Sequence, residues 1–309
     1  RIVAAVKEAG VIFAVCHVLR YTEYTKKLLE IVKSGEIGDI VTIQHLEPVG
    51  YWHQAHSFVR GNWRNEAESS FMLLAKSCHD VDWLRYVMDC SCKRVHSFGS
   101  LNYFRKEKQP KGAADRCWEC PSCIEKDCPY SAFKIYLRDR LDKGNDQWPV
   151  DVLTDKVTRE SVLEAIKNGP YGRCAFACDN DVVDNQVINF EFEGNRTCSM
   201  TMTAFDRHTG RRTRIFGTRG SIDTDSEIIH LYNFETNTMT DIDTNVKNDG
   251  GILSGHGGGD EGLIASFTKA VAENNQEFIL SGPDDTLESH LIVFAAERSR
   301  RAGTIEEIR

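Results

Sequence analysis

The run Lys76-Ser-Cys-His79-Asp80 carries the side chains best suited to proton chemistry in this chain. A histidine imidazole titrates near pH ~6.5, so His79 can give or take a proton at neutral pH. Lys76, three residues earlier, lies beside it if the stretch is helical. Its positive charge disfavours the protonated imidazole, or it binds a substrate oxygen. Asp80 can orient the histidine or pair with the lysine. By spacing alone, an ordinary helix-surface ion pair beside a chance histidine explains the same letters. The catalytic assignment of His79, Lys76 and Asp80 therefore leans on what surrounds them.

Residues 51–64 read YWHQAHSFVRGNWR. Trp, His, Arg and Asn together offer stacking faces and directional hydrogen bonds. A carbohydrate, with C–H faces and hydroxyls, needs that mixture. His53, His56, Trp63 and Arg64 are accordingly candidate substrate ligands. His53 and His56 have a metal-compatible spacing, but no third ligand stands nearby. The alternative is a loop packed by its own tryptophans. Gly255-His256-Gly-Gly-Gly-Asp260 precedes a helical pattern, and adds His256 to the candidate substrate ligands. Its glycines allow backbone N–H groups to approach a ligand. No buried strand leads into it, so it does not read as a dinucleotide fingerprint. Asp260 also serves as a simple N-cap.

Cys117, Cys120, Cys123 and Cys128 fall within twelve residues, and Cys174 and Cys178 follow. Four thiols so spaced can wrap one metal ion tetrahedrally. Structural zinc or unliganded thiols rank first, disulfides next. An iron–sulfur cluster ranks last, because the final gap is one residue too long for the ferredoxin run. Nothing resembles a serine-hydrolase elbow, a phosphate-binding Walker loop or a paired-carboxylate site.

The elements that must position these groups follow from periodicity. Residues 1–9 read as the tail of an amphipathic helix capped by Gly10, and VIFAVC at 11–16 as a strand buried on both faces. Helix, glycine and buried strand form the last piece of a doubly wound sheet. One strand and half a helix cannot make that sheet alone. Residues 22–34 predict a helix with Leu28, Leu29 and Val32 inward, stopped by Gly35. Residues 39–47 predict a strand, and residues 51–70 fit neither period. Residues 72–88 predict one helix. Leu74, Val81, Leu84 and Met88 lie on one face; Lys76, His79, Asp80 and Trp83 lie on the other. Further strands are expected at 93–104, in NQVINFEFE and TCSMTMTAF, and in two later pairs around Arg219-Gly220 and beyond. Helices are expected at 159–168, 260–274 and 285–301. The sum is an α+β fold, with a large, mostly antiparallel sheet and flanking helices.

The chain has 309 residues, 41% hydrophobic and 27% charged, which suits a globular protein with a sizeable core. With 38 Lys+Arg against 46 Asp+Glu the net charge is −8, which disfavours a nucleic-acid surface. Basic clusters such as Arg211-Arg212 with Arg214 read as solvated or strand-edge charges. No apolar run approaches a membrane span and no signal segment opens the chain, so the expected compartment is the cytoplasm. Eleven cysteines there read as metal ligands or thiols before disulfides.

Several segments taken in order carry a family resemblance: Cys16-His17-Val-Leu-Arg20-Tyr21, SGEIGDI, Cys78-His79-Asp80-Val-Asp82 and ESHLIVFAAERSR. The sequence resembles the glucose–fructose oxidoreductase / inositol dehydrogenase (Gfo/Idh/MocA) family over essentially its whole length. The resemblance implies a nucleotide-binding Rossmann domain followed by an α+β domain whose sheet forms homo-oligomers. It implies oxidation or reduction of a hydroxyl carbon of a sugar or polyol through NAD or NADP. His79 falls on the family's catalytic histidine. Arg20, with His17, falls in the segment near the nicotinamide. Residues 1–21 would then be a Rossmann remnant. Residues 22–309 would be the substrate domain, with the last helix, about 285–301, packing back on the Rossmann side. The family's glycine fingerprint and Glu-Lys-Pro motif are expected upstream of Arg1. Its aspartate four residues before the histidine is replaced by Ala75, for which Lys76 substitutes in part. The cysteine-rich insert is not a general family feature. Two alternatives remain: an NAD-dependent glycosidase of the same family, and a non-catalytic sugar-binding or oligomerisation module.

Overall fold

Strand alternation decides where the core lies. The structure, a computed structural model, describes residues 1–207, 209–245 and 255–308. Among them nine strands form one sheet: β1 (Ile40–Pro48), β2 (Cys92–Ser100), β3 (Asn185–Phe192), β4 (Thr197–Thr203), β5 (Arg212–Gly217), β6 (Gly220–Thr224), β7 (Ile228–Asn233), β8 (Thr238–Asp243) and β9 (Glu306–Glu307). Their order is β8-β7-β6-β5-β1-β4-β3-β2-β9. Every neighbouring pair is antiparallel except β1 with β4, where Thr42 lies opposite Thr197.

One face of the sheet is apolar. Ile188, Phe190 and Phe192 alternate inward along β3, as do Cys198, Met200 and Met202 along β4. On β1 the inward positions are Ile43, His45 and Glu47. Two polar groups in that row mark the end of the sheet where the core gives way to a site. The outer face is mostly Thr, Ser, Asn and Arg. An apolar row crosses it through the partners Phe98–Val187–Thr201–Leu46, with Phe98 60% exposed.

The helices are α1 (Ile2–Ala9), α2 (Glu23–Ser34), α3 (Tyr51–His53), α4 (Met72–Ala75), α5 (Cys78–Met88), α6 (Ser122–Glu125), α7 (Arg159–Asn168), α8 (Gly259–Ala272) and α9 (Pro283–Ala302). Thr22 caps α2 by accepting from the Thr25 amide at 3.1 Å, and Gly35 ends it in the left-handed region at φ 80°. Leu28 and Ile31 of α2, Leu84 and Val87 of α5, and Ile292 and Ala296 of α9 close over Ile43, Met200 and Ile215. Helix α9 lies against β2 and α5, and its first turn reaches α1 through Lys7–Asp284 at 2.7 Å. The excursion between β2 and β3 builds a second core from Phe104, Tyr136, Val162, Ile166 and Phe176, against Val59.

Three local expectations change. VIFAVC forms no strand: Ile12–Val15 are only partly buried and Val11 and Cys16 are exposed. The segment runs extended against the chain before α9. The Val15 amide donates to Ser281 O at 3.0 Å, and Gln276 brackets Phe13 through both its amide and its carbonyl. Apolar letters alone do not separate a sheet strand from such a segment. Residues 51–60 are helical, α3 passing into a π-helical turn at Gln54–Arg60, where residues 54–60 are all buried. The helix expected over 72–88 breaks at Lys76 (φ −127°, ψ −62°) and restarts after Ser77. The spacing argument across that break therefore fails, and Asp80 and Trp83 turn into the core.

Candidate active site

The break between α4 and α5 decides which way the chemistry-bearing side chains point. Lys76 leaves the helical path, and its Nζ meets Glu47 Oε1 at 3.0 Å. Glu47 is 1% exposed, and its second oxygen lies 3.1 Å from Arg211 Nε. Asp80, fully buried, takes Arg211 Nε at 2.5 Å and His45 Nε2 at 3.0 Å. His45 in turn bonds Thr213 Oγ1 through Nδ1 at 2.8 Å. Burial alone would raise the Asp80 pKa, but Arg211 and His45 hold it well below the usual carboxylate range. Lys76, Glu47, Arg211 and Asp80 thus form one chain of alternating charge, which His45 extends by a hydrogen bond.

His79 sits on the second position of α5, beside this chain and outside it. Its Nδ1 is buried without a hydrogen-bond partner. Burial lowers its pKa; Asp80 opposes this, while Arg211, Lys76 and His256 add to it. The imidazole is neutral at pH 7, the form that accepts a proton. His17 stands edge-on to it, ring centroids 5.4 Å apart. His17 is 3% exposed, with neither ring nitrogen hydrogen-bonded. Burial depresses it to about 4, with Asp82 opposing and His79, His290 and Arg20 assisting.

Several sequence-based assignments need correction. Asp80 neither orients His79 nor pairs with Lys76; it anchors Arg211 behind the site. Arg211 is no solvated edge charge but the hub of the network, 20% exposed. Arg20 is 1% exposed and bound bidentately to Asp82 at 2.8 and 2.7 Å, with its guanidinium 4.5 Å from the Tyr86 ring centroid. It braces α5 and α9, because Ser289 also donates to Asp82 at 2.7 Å.

His53 and His56 come close to the site and to each other. Burial lowers both to about 3, with Lys76 and Arg140 among the charges acting on His53. His56 stacks on Tyr171 at 4.7 Å and bonds the Tyr136 hydroxyl at 3.0 Å. Trp148, from the excursion, stands edge-on to His53 at 4.9 Å and 5.3 Å from Trp52. Trp63 and Arg64 do not join them. Trp63 is 46% exposed against Phe58, and Arg64 pairs with Asp179 and Glu68 on the surface.

His256 is exposed and bonds Asp260 at 2.9 Å. With Arg211, His45, Trp83 and Tyr24 it lines a cavity of about 250 Å³ behind the charge network. The letters Gly257-x-Gly259-x-x-Gly262 also satisfy the spacing G-x-G-x-x-G, yet two of these glycines serve packing. A Cβ on Gly259 would stand 2.5 Å from Val18 O, and one on Gly262 2.7 Å from Tyr21 O. They let α8 lie directly on residues 18–21.

The four-thiol metal centre finds no support. Among the described residues no group of three or more His, Cys, Asp or Glu side chains could hold an ion. Cys117 is buried, where the Ala132 amide and Arg60 Nη2 approach its sulfur, whereas Cys123 is exposed. No helix among the described residues is long and apolar enough to cross a membrane.

Glu47 and Arg211 are the site residues that motif reading missed. Glu47 left one trace, a carboxylate at an inward position of a strand beside Ile43 and His45.

Residues 29–306 match the oxidoreductase family, C-terminal alpha/beta domain, of the Gfo/Idh/MocA group. YteT of Bacillus subtilis (strain 168), whose name places it among oxidoreductases without a substrate, is 24% identical over 289 residues, 86% of this chain and 62% of YteT. The chain thus spans less than two thirds of that relative. An oxidoreductase domain protein from Kribbella flavida superposes with a TM-score of 0.65 at 16% identity, over 99% of this chain and 69% of that one. Levoglucosan dehydrogenase in complex with NADH and levoglucosan gives 0.64 at 16%, over 99% and 68%. An Agrobacterium radiobacter oxidoreductase in complex with NAD+, L-tartaric acid and magnesium gives 0.63 at 12%, over 99% and 68%.

Proposed function

Because this chain belongs to the Gfo/Idh/MocA oxidoreductase family, we propose that it carries the substrate half of an NAD(P)-dependent oxidoreductase acting on a hydroxyl carbon of a sugar, polyol or related molecule. The observation that carries the reading is His79: a neutral imidazole with a buried, unpartnered nitrogen beside a lysine clamped by a carboxylate. Solved relatives of the same fold that hold NADH with levoglucosan, or NAD+ with tartaric acid, support the substrate and cofactor classes.

In this reading His79 accepts the hydroxyl proton as the carbon is oxidised and returns it in reduction. Lys76, fixed by Glu47, donates to the same oxygen and stabilises its developing negative charge. A bound nicotinamide supplies the hydride acceptor. The residues at 17–21 fit only one edge of such a cofactor. His17 offers two buried nitrogens without hydrogen bonds beside His79, whereas Arg20 is committed to Asp82. Residues 1–21 are read as belonging with the nucleotide domain and residues 22–309 as the substrate domain. The open sheet face around Phe98 and Val187 is read as a homo-oligomer interface. The test is turnover: His79→Ala is expected to lower kcat by about 10²–10⁴, the size of a general acid–base contribution. An unchanged kcat with NAD(P) and a polyol removes His79 from the mechanism.

A further inference from the structure

Cations and carboxylates do not balance around the candidate site. Lys76 and Arg211 share Glu47 and Asp80. Arg140 makes no such pair, although the charge of Asp139 acts on it. Its guanidinium carbon lies 3.9 Å from the centroid of the Trp52 ring, and its Nη1 donates to Ile135 O at 2.8 Å. No carboxylate among the described residues forms an ion pair with it. Its neighbour Asp139 pairs instead with Lys134 and Lys143. Arg140 is only half-buried, so a ligand can reach it. A second guanidinium without a carboxylate, Arg60, lies 1% exposed nearby, bonded to the carbonyls of Arg173 and Tyr130. Its charge and that of Arg140 both act on His56.

The same ring cluster joins Arg140 to the proton-transfer centre. Trp52 stacks on His53 at 5.6 Å, and His53 feels both Arg140 and Lys76. Trp148, 44% exposed, closes the cluster from the excursion side. A guanidinium held over an indole face loses little rotamer freedom when it binds. That favours planar, two-point recognition of an oxyanion over a lone hydroxyl. The surrounding histidines are neutral, so the local excess is positive charge without an internal partner.

We propose that the substrate of this site bears an anionic group, and that Arg140, stacked on Trp52, receives it. The inference rests on the oxidoreductase reading for the position of the reacting carbon. The anion is a carboxylate, as in a uronic acid, or a phosphate ester; both present oxygens to the same fork.

The test compares three ligands on one scaffold, D-glucuronate, D-glucose 6-phosphate and D-glucose, by quenching of the tryptophan fluorescence of the protein. At least one anionic sugar is expected to bind about tenfold more tightly than glucose, the worth of one charge-assisted hydrogen bond. The advantage is expected to shrink as salt is raised. Whichever anion wins identifies the group. Arg140→Met is expected to bring the ratio to about one, and Arg140→Lys to restore its salt-dependent part, with circular dichroism showing both variants folded. Glucose binding as tightly as both anions, no binding of either anion, or a preference that survives in Arg140→Met overturns the proposal. NAD(P)-dependent turnover of neutral sugars with no preference for anions would sink this inference and leave the proposed function standing. Anion binding that depends on Arg140 without any hydride transfer would do the reverse.

Discussion

Glu47 bridges the two cations of the site, Lys76 and Arg211. It is nearly inaccessible, so removing its charge leaves Arg211 with Asp80 and Lys76 with no carboxylate. Breaking a buried pair on one side costs about 3–5 kcal/mol; since both cations are about a fifth exposed, about 2–3 kcal/mol is expected for Glu47→Gln. Urea denaturation reads the loss, and unchanged stability would show that the contacts do not hold in solution. The histidines set a second expectation. His17 has a folded-state pKa of about 4 against an ordinary value of 6.5. Between those values the unfolded chain binds more protons, so stability falls as pH drops from about 7 towards 4 and returns as pH rises. His17 is expected to account for about 2–3 kcal/mol of that loss, and His17→Gln to flatten the profile of melting temperature against pH. An equally steep profile in the variant would rule His17 out. At this scale the sequence was partly legible. His79 stood out by type and context. Arg211 was read as a solvated charge and Asp80 as a partner of His79 or Lys76, because neither letter shows that its partner lies across the sheet. The evenly spaced inward row Ile43, His45, Glu47 was the available clue.

Elements were legible where local chemistry decides them. The caps at Thr22 and Gly35, the stop at Gly169-Pro170 and the alternation of β3 and β4 all follow from nearby residues. The break at Lys76 has no glycine or proline to announce it; a distant ion pair draws the lysine out of line. VIFAVC failed for a related reason, since its hydrogen bonds go to residues 276 and 281, more than 250 positions away. The glycines of α8 were read as ligand-facing, yet two of them make a close helix contact. Gly259→Ala and Gly262→Ala are therefore expected to destabilise by about 1–3 kcal/mol each through overpacking. A Gly257→Ala control meets no neighbour within 4 Å, although its φ of 63° carries its own backbone penalty. Thermal melts of the three variants check this. Unaltered melting of Gly259→Ala would mean that α8 does not sit on residues 18–21.

For the whole molecule, the sheet class was readable and the strand order was not. Hairpin spacing gives the antiparallel neighbours β3–β4, β5–β6 and β7–β8. It says nothing about β1 lying parallel to β4 and beside β5. The open face bears on assembly. Phe98, Val187 and Leu46 line up across a field of hydroxyls, a composition suited to a packed interface. If the oligomer proposed above uses this face, Phe98→Arg is expected to shift the sedimentation profile towards monomer while leaving the melting of the isolated subunit within about 1 kcal/mol. An unmoved profile would place the contact elsewhere.

The central placement of β1 also bears on how the chain reaches its native state. Its two hydrogen-bonded neighbours are made roughly 150 residues after it. At a synthesis rate of about 5–20 residues per second, β1 waits on the order of ten to thirty seconds with both edges unpaired. Glu47 and His45 are present during that wait, long before Arg211, which will pair with the carboxylate. A strand carrying a carboxylate and a polar imidazole on its future inner face is a poor template for edge-to-edge association. The charge chain that serves the finished site thus also keeps the nascent strand soluble until its partners emerge.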